Sequence, residues 1–223
     1  MTKQLFCAVF AGGLALLGLA DEVRVRVLAK TDVVDGVQTR KIERVDELRE
    51  LRSQGWSAVG LSLVEGISCP AGDFEIKGLR LNLLTGRHVN VYGLDVGLLA
   101  NMADAEALGV SVAGVWNSFG RFGGGWALAG AFNRVRTSGT GIQTALGYNS
   151  VDAHMTGVQV ALVNAATRLN GVQLGGVNVV VRGSGLQAGL FNRADAFEGL
   201  QLGLLNFNGV SAAPCLPVLN FAY

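Results

Sequence analysis

Charge is scarce in this chain. Only 16% of its 223 residues are charged, and 18 Lys and Arg against 17 Asp and Glu leave a net charge of +1. That balance excludes the broad basic field a nucleic-acid-binding domain needs. There are two histidines and three cysteines, scattered along the sequence, so the three or four convergent ligands of a metal centre are not expected. No G-x-S-x-G elbow, C-x-x-C pair or phosphate loop ending in Gly-Lys-Ser/Thr occurs. The glycine-rich run at residues 120–125 lacks that Lys-Ser/Thr and reads as a turn. Nothing here assembles a catalytic set or a cofactor site, so the chain reads as a non-enzyme. His154 beside Asp152 gives two polar residues on a turn, which is not a site.

What is abundant is glycine, at 32 residues, and apolar side chains, at 50%. They are organised in a repeat, clearest at Gly199-Leu200-Gln201-Leu202-Gly203-Leu204-Leu205-Asn206. Opening glycines stand at 78, 93, 109, 125, 141, 157, 171, 185 and 199, a spacing of 15, then 16, then 14. A closing Asn recurs at 101, 117, 133, 149, 164, 178, 192, 206 and 220. Internal periodicity of this kind decides the fold class before any local propensity does. The structural core of the pattern is Gly157, Gln159 and Asn164, then Gly171, Gln173 and Asn178. It continues with Gly185, Gln187 and Asn192, then Gly199, Gln201 and Asn206.

Within each unit Leu and Val alternate with Gln and Gly at a period of two, which predicts a strand. A helix would carry a glycine cost of about 1 kcal/mol in every unit. The 16-residue units hold an extra residue that reads as a β-bulge. The chain is therefore all-β from residue 58 to 223.

Ahead of it, residues 1–20 carry Lys3, an apolar run and Gly18-Leu19-Ala20, and predict a secretory signal peptide. Residues 21–57 predict a strand at 23–28, a turn about Asp35-Gly36 and one short amphipathic helix bearing Ile42, Val45, Leu48 and Leu51.

Units of the form G-[LV]-Q-[LV]-[AG]-[LG]-[LV]-N resemble those of bacterial exported "surface repeat" proteins, in which GLQLGLVN or GVQIAGLVN recurs every 14 to 16 residues. The matching copies are residues 157–164, 171–178, 185–192 and 199–206, and the likeness covers roughly residues 58–223. It implies an outer-membrane or cell-surface location and no catalytic residues. Ser111, Ala127 and Asp95 replace Gln and depart from the pattern.

Two architectures fit. The favoured one is a closed up-and-down antiparallel barrel, with Leu and Val meeting outer-membrane lipid and Gln, Gly and Ala lining a narrow interior, structural or a narrow pore. The final Phe221-Ala222-Tyr223 and the need to hide strand edges argue for it. Pro214 and Pro217 argue against it. The alternative is a surface-exposed β-solenoid acting as a binding or adhesion module of unknown ligand. Exact repeat lengths within each block, a fixed Asn and the absence of hairpin doubling favour that reading. It predicts a buried Leu/Val face and an exposed stacked row. Cys69 and Cys215 flank the array. Barrel closure would bring them within the ~7 Å a disulfide requires, and two separate thiols are the alternative.

Overall fold

The computed structural model describes residues 33–34, 37–38 and 53–222. The signal peptide, the strand at 23–28 and the helix over residues 42–51 lie outside them. Two short strands, β1 (Val33–Val34) and β2 (Val37–Gln38), pair as an antiparallel ribbon. The remaining strands are β3 (Trp56–Val64), β4 (Ile67–Cys69), β5 (Glu75–Asn82), β6 (Thr85–Gly97), β7 (Ala100–Ala113), β8 (Trp116–Ala129), β9 (Phe132–Val135), β10 (Ser138–Ala145), β11 (Tyr148–Asn208) and β12 (Cys215–Ala222).

Successive repeats pair in parallel: Gly78 lies on Gly93, Gly93 on Gly109, Gly109 on Gly125 and Gly141 on Gly157. Strands linked by two or three residues can lie parallel only if the chain completes a full turn between them. In an up-and-down barrel, neighbours are antiparallel. The fold is a β-solenoid, and the barrel expectation is overturned by this register.

Each coil has two walls. The first runs from the opening Gly through the Gln position, and the second starts at the Asn. The 16- and 14-residue coils differ at their corners, not in a bulge within the repeat phrase. Residues 146–148 separate inward Ala145 from inward Asn149, whereas 162–163 alone separate Ala161 from Asn164. At the other corner residues 152–154 correspond to 167–168. Both walls thus keep their inward register while the coil tightens.

The repeat phrase inverts the usual arrangement along its inward columns, beside an apolar core that includes Phe119, Phe122, Met155, Leu169 and Phe197. Asn117, Asn133, Asn149, Asn164, Asn178, Asn192 and Asn206 are all fully buried, as are Gln143, Gln159, Gln173, Gln187 and Gln201. A polar group survives burial only when hydrogen-bonded, and stacking supplies the partner. From Asn117 to Asn192 each Asn Nδ2 donates to the Oδ1 of the next coil, as Asn149 does to Asn164 at 3.1 Å and Asn178 to Asn192 at 2.8 Å. The last, Asn206, donates to the Leu216 carbonyl. The Gln ladder runs the opposite way: Gln159 Nε2 donates back to Gln143 Oε1 and Gln201 back to Gln187. Two of the buried side-chain atoms left without a partner, Gln143 Nε2 and Gln201 Oε1, are the two ends of that ladder.

Gln143 Nε2 lacks an acceptor because the preceding rung carries Ala127. There the space is filled by Phe119 and Phe122, both buried and stacked with centroids 5.5 Å apart. Replacing Gln173 by Met, similar in volume, strands Gln159 Oε1 and Gln187 Nε2 together. The expected loss is roughly 2 kcal/mol, read as a lower urea midpoint at unchanged slope.

Both ends of the stack are closed by strands of reversed direction. β4 folds back on β3, and β12 pairs antiparallel with the end of β11. Opposite Gly203 to Asn206 the β12 register shifts around Pro217, and Val218 takes φ 67°. A bulged, proline-bearing edge resists addition of a further strand.

Candidate functional site

The alternation that turns Gln inward turns its neighbours outward. The residue after each opening Gly forms one column: Val59, Leu79, Leu94, Val110, Trp126, Ile142, Val158, Val172, Leu186, Leu200 and finally Phe221. Two positions on stands a second column of Leu61, Leu81, Val96, Val112, Leu128, Thr144, Val160, Leu174, Ala188, Leu202 and Leu219. No side chain in either column is charged. Their two side-chain polar groups meet each other, the Thr144 hydroxyl accepting from Trp126 Nε1 at 3.1 Å.

At ~4.8 Å per rung the columns run for roughly 45 Å. The adjoining corner continues the apolar surface through Leu83, Leu84, Leu98, Leu99, Leu146 and Leu162, with Leu146 81% and Leu162 63% exposed. A groove of about 360 Å³ lies at the N-terminal end of this face, between Leu61, Leu63, Leu81, Leu83, Val96 and Leu98. Trp116 and Phe132, stacked at 5.8 Å, and exposed Tyr148 and Phe191 border the second wall. An exposed apolar patch beyond a few hundred Å² marks an interaction surface on a soluble protein.

The charges sit elsewhere. Arg87 binds Glu65 and, at 2.8 Å, Asp104; Arg136 reaches the same Asp104 at 3.5 Å. Arg134 pairs with Asp152 at 3.4 Å, and Arg121 with Glu106 at 3.7 Å. These belong to the second wall and its far corner, so the solenoid is amphipathic across its section.

Among the described residues one charged pair is internal. Arg80 occupies the Gln position of its coil and is fully buried, with Asp95 in the same column on the next rung. Nε and Nη2 of Arg80 donate to Oδ1 and Oδ2 of Asp95 at 2.7 and 2.6 Å. Arg80 Nη1 donates to the Met102 carbonyl at 2.8 Å and meets His88 Nδ1 at 3.3 Å. Asn82 and Ser111 also donate to Asp95. The other ring nitrogen of His88 lies 3.3 Å from the Pro70 carbonyl. Burial, then the Arg80 charge, depress the His88 pKa to about 4.

The residues singled out from the sequence divide cleanly. Gly157, Gly171, Gly185 and Gly199 stack at one corner with positive φ. The Gln and Asn sets are sealed inside and build the wall instead of contacting a ligand. The solenoid expectation of a buried Leu/Val face and an exposed row is reversed: Gln and Asn find partners only by stacking inside, which sends Leu and Val out. Cys69 and Cys215 belong to end strands at opposite extremes of the stack, and Cys215 is a free, exposed thiol, so the two do not form a bridge. His154 is exposed, and no cluster of three His, Cys, Asp or Glu suited to a metal occurs among the described residues. The Arg80–Asp95–His88 cluster was not foreseen. The available signal was columnar: Arg80 and Asp95 each fall two residues after an opening Gly.

No family model, curated protein or solved structure matches this chain.

Proposed function

We propose that this protein is a non-enzymatic, exported binding module that lays the apolar wall of its solenoid on a lipid surface at the outer membrane or cell surface. The observation that carries the reading is the pair of exposed columns running the length of the stack without one charged side chain. Burying on the order of 400 Å² of such surface at ~25 cal/mol per Å² yields roughly 10 kcal/mol before association costs are subtracted.

Lipid suits this wall better than a second copy does. The columns offer no ion pair or free hydrogen-bonding group to fix a register between two proteins, whereas lipid imposes none. The bordering aromatics fit the depth of an interface. The paired charges of the second wall stay in water.

The test is flotation of purified protein with vesicles of phosphatidylethanolamine and phosphatidylglycerol. The wild-type protein is expected to float. Replacing Leu94 and Leu174, both outward-facing, with Glu is expected to reduce the bound fraction at least ten-fold while the β circular dichroism persists. A wild-type protein that stays at the bottom, or a double variant that floats equally well, rules the reading out. Sedimentation without vesicles reads out the competing outcome, dimerisation through the same wall.

A further inference from the structure

His88 is buried in the wall where the N-terminal cap joins the first complete coils. The link between β4 and β5, residues 70–74, lies across it. Pro70 contributes the carbonyl facing His88, and Gly72 accepts from the Val89 amide at 2.9 Å. The link and the first residue of β5 hold the residues just ahead of β3, through Gln54 N–H to Asp73 O and Glu75 N–H to Gly55 O. His88 thus stands between the cap and the polar core.

We propose that His88 makes the N-terminal cap acid-labile, so that its protonation releases β3, β4 and the link over residues 70–74 from the rest of the stack. In the closed state the ring is neutral. Nε2–H donates to Pro70 O, and Nδ1 accepts from Arg80 Nη1. A proton added at Nδ1 removes that acceptor and sets an imidazolium against a guanidinium already held by both oxygens of Asp95.

The charged groups around the ring offer little relief. Asp95 of β6 is saturated by Arg80, Asn82 and Ser111. Arg87, the residue before His88, turns outward to Glu65 and Asp104. Asp73 is the titratable group of the link, and its backbone carbonyl ties the start of the cap. The ring is relieved by moving outward, where the Pro70 link covers it.

The direction in pH follows from linkage. A histidine held near 4 when closed and titrating near 6.5 when open binds its proton more tightly in the open state. The cap is fully held above pH 6.5 and loosens as pH falls towards 4. The opening equilibrium rises by up to about 300-fold in all, levelling off below pH 4.

Hydrogen exchange measured at pH 7 and pH 4.5, corrected for intrinsic rates, tests this in the full chain. Amides of β3 and β4 are expected to lose protection at least ten-fold more than those of β11, and H88Q to abolish the difference. Equal acid sensitivity in H88Q, or uniform loss along the solenoid, overturns the proposal. If H88Q does not fold, ring titration of His88 by NMR in the unaltered protein decides. A His88 ring that protonates without any change in cap exchange also overturns it.

Discussion

Alanine at position 157 is expected to cost the fold roughly 4 kcal/mol, and alanine at position 66 about 1 kcal/mol. Both glycines have positive φ, 125° and 83°, so both substitutions incur the strain of a left-handed backbone. They differ in what surrounds them. A Cβ on Gly157 would lie 2.2 Å from the carbonyl oxygen of Gly141, whereas one on Gly66 meets nothing within 4 Å. The obstacle at 157 is backbone of the preceding coil, which cannot swing aside as a side chain does. Moving it separates two rungs and stretches both ladders. Gly171, Gly185 and Gly199 face the same geometry, so the effect belongs to the column. Urea melts of G157A and G66A check this. Equal losses would mean that φ alone explains the glycines and that rung spacing does not.

Arg80→Met is expected to be as damaging, for an electrostatic reason. The Asp95 carboxylate is 2% exposed and receives two of its bonds from the guanidinium. With methionine in place, a buried carboxylate keeps only Asn82 and Ser111, and the loss is about 3–5 kcal/mol. The variant that removes both charges, R80M with D95N, is expected to recover much of it, because the cost lies in the stranded charge. Thermal unfolding of the two singles and the double forms a cycle. A double variant as unstable as the sum of the singles would show that Arg80 acts through packing instead of through its pairing.

The sequence made some of this legible and hid the rest for definable reasons. The alternation of Leu200, Leu202 and Leu204 with Gln201 and Gly203 establishes that two faces exist and that strands carry them. It does not choose between the two architectures, because a solenoid with stacked amides and a barrel in lipid both turn leucine outward. The facing expected for the barrel is in fact the one adopted, in the other architecture. What separated the two was connectivity, and the evidence for it was the regular spacing, 16 residues from Gly125 to Gly141 and from Gly141 to Gly157, then 14 from Gly157 to Gly171 and from Gly171 to Gly185. A corner of two or three residues cannot reverse a strand and also keep Gly on Gly.

The reading of burial went astray at a general rule, that apolar groups go inside. Here Asn149 finds partners in Asn133, Asn164 and the Gln143 and Val160 carbonyls. Stacking therefore satisfies the amides within the ladders, so Gln and Asn hold the inward positions of the repeat phrase, while Met155, Leu169 and Phe197 fill the rest of the interior. The Arg80–Asp95 pair escaped because it lies 15 residues apart in sequence, and only the register makes it a contact.

The opposed directions of the two amide ladders carry a last consequence. Every 14-residue coil hands on the same donor and acceptor that it receives. Excision of residues 171–184 would therefore bring Gln187 onto Gln159 and Asn192 onto Asn164 with all polarities intact. Duplication of the same stretch would do as well. Length in this protein is a quantity that unequal recombination between neighbouring copies can add or remove one rung at a time. Each event changes the apolar wall by two outward side chains and leaves both capped ends untouched. The reach of the surface is thus open to adjustment by a kind of genetic change that would ruin most folds.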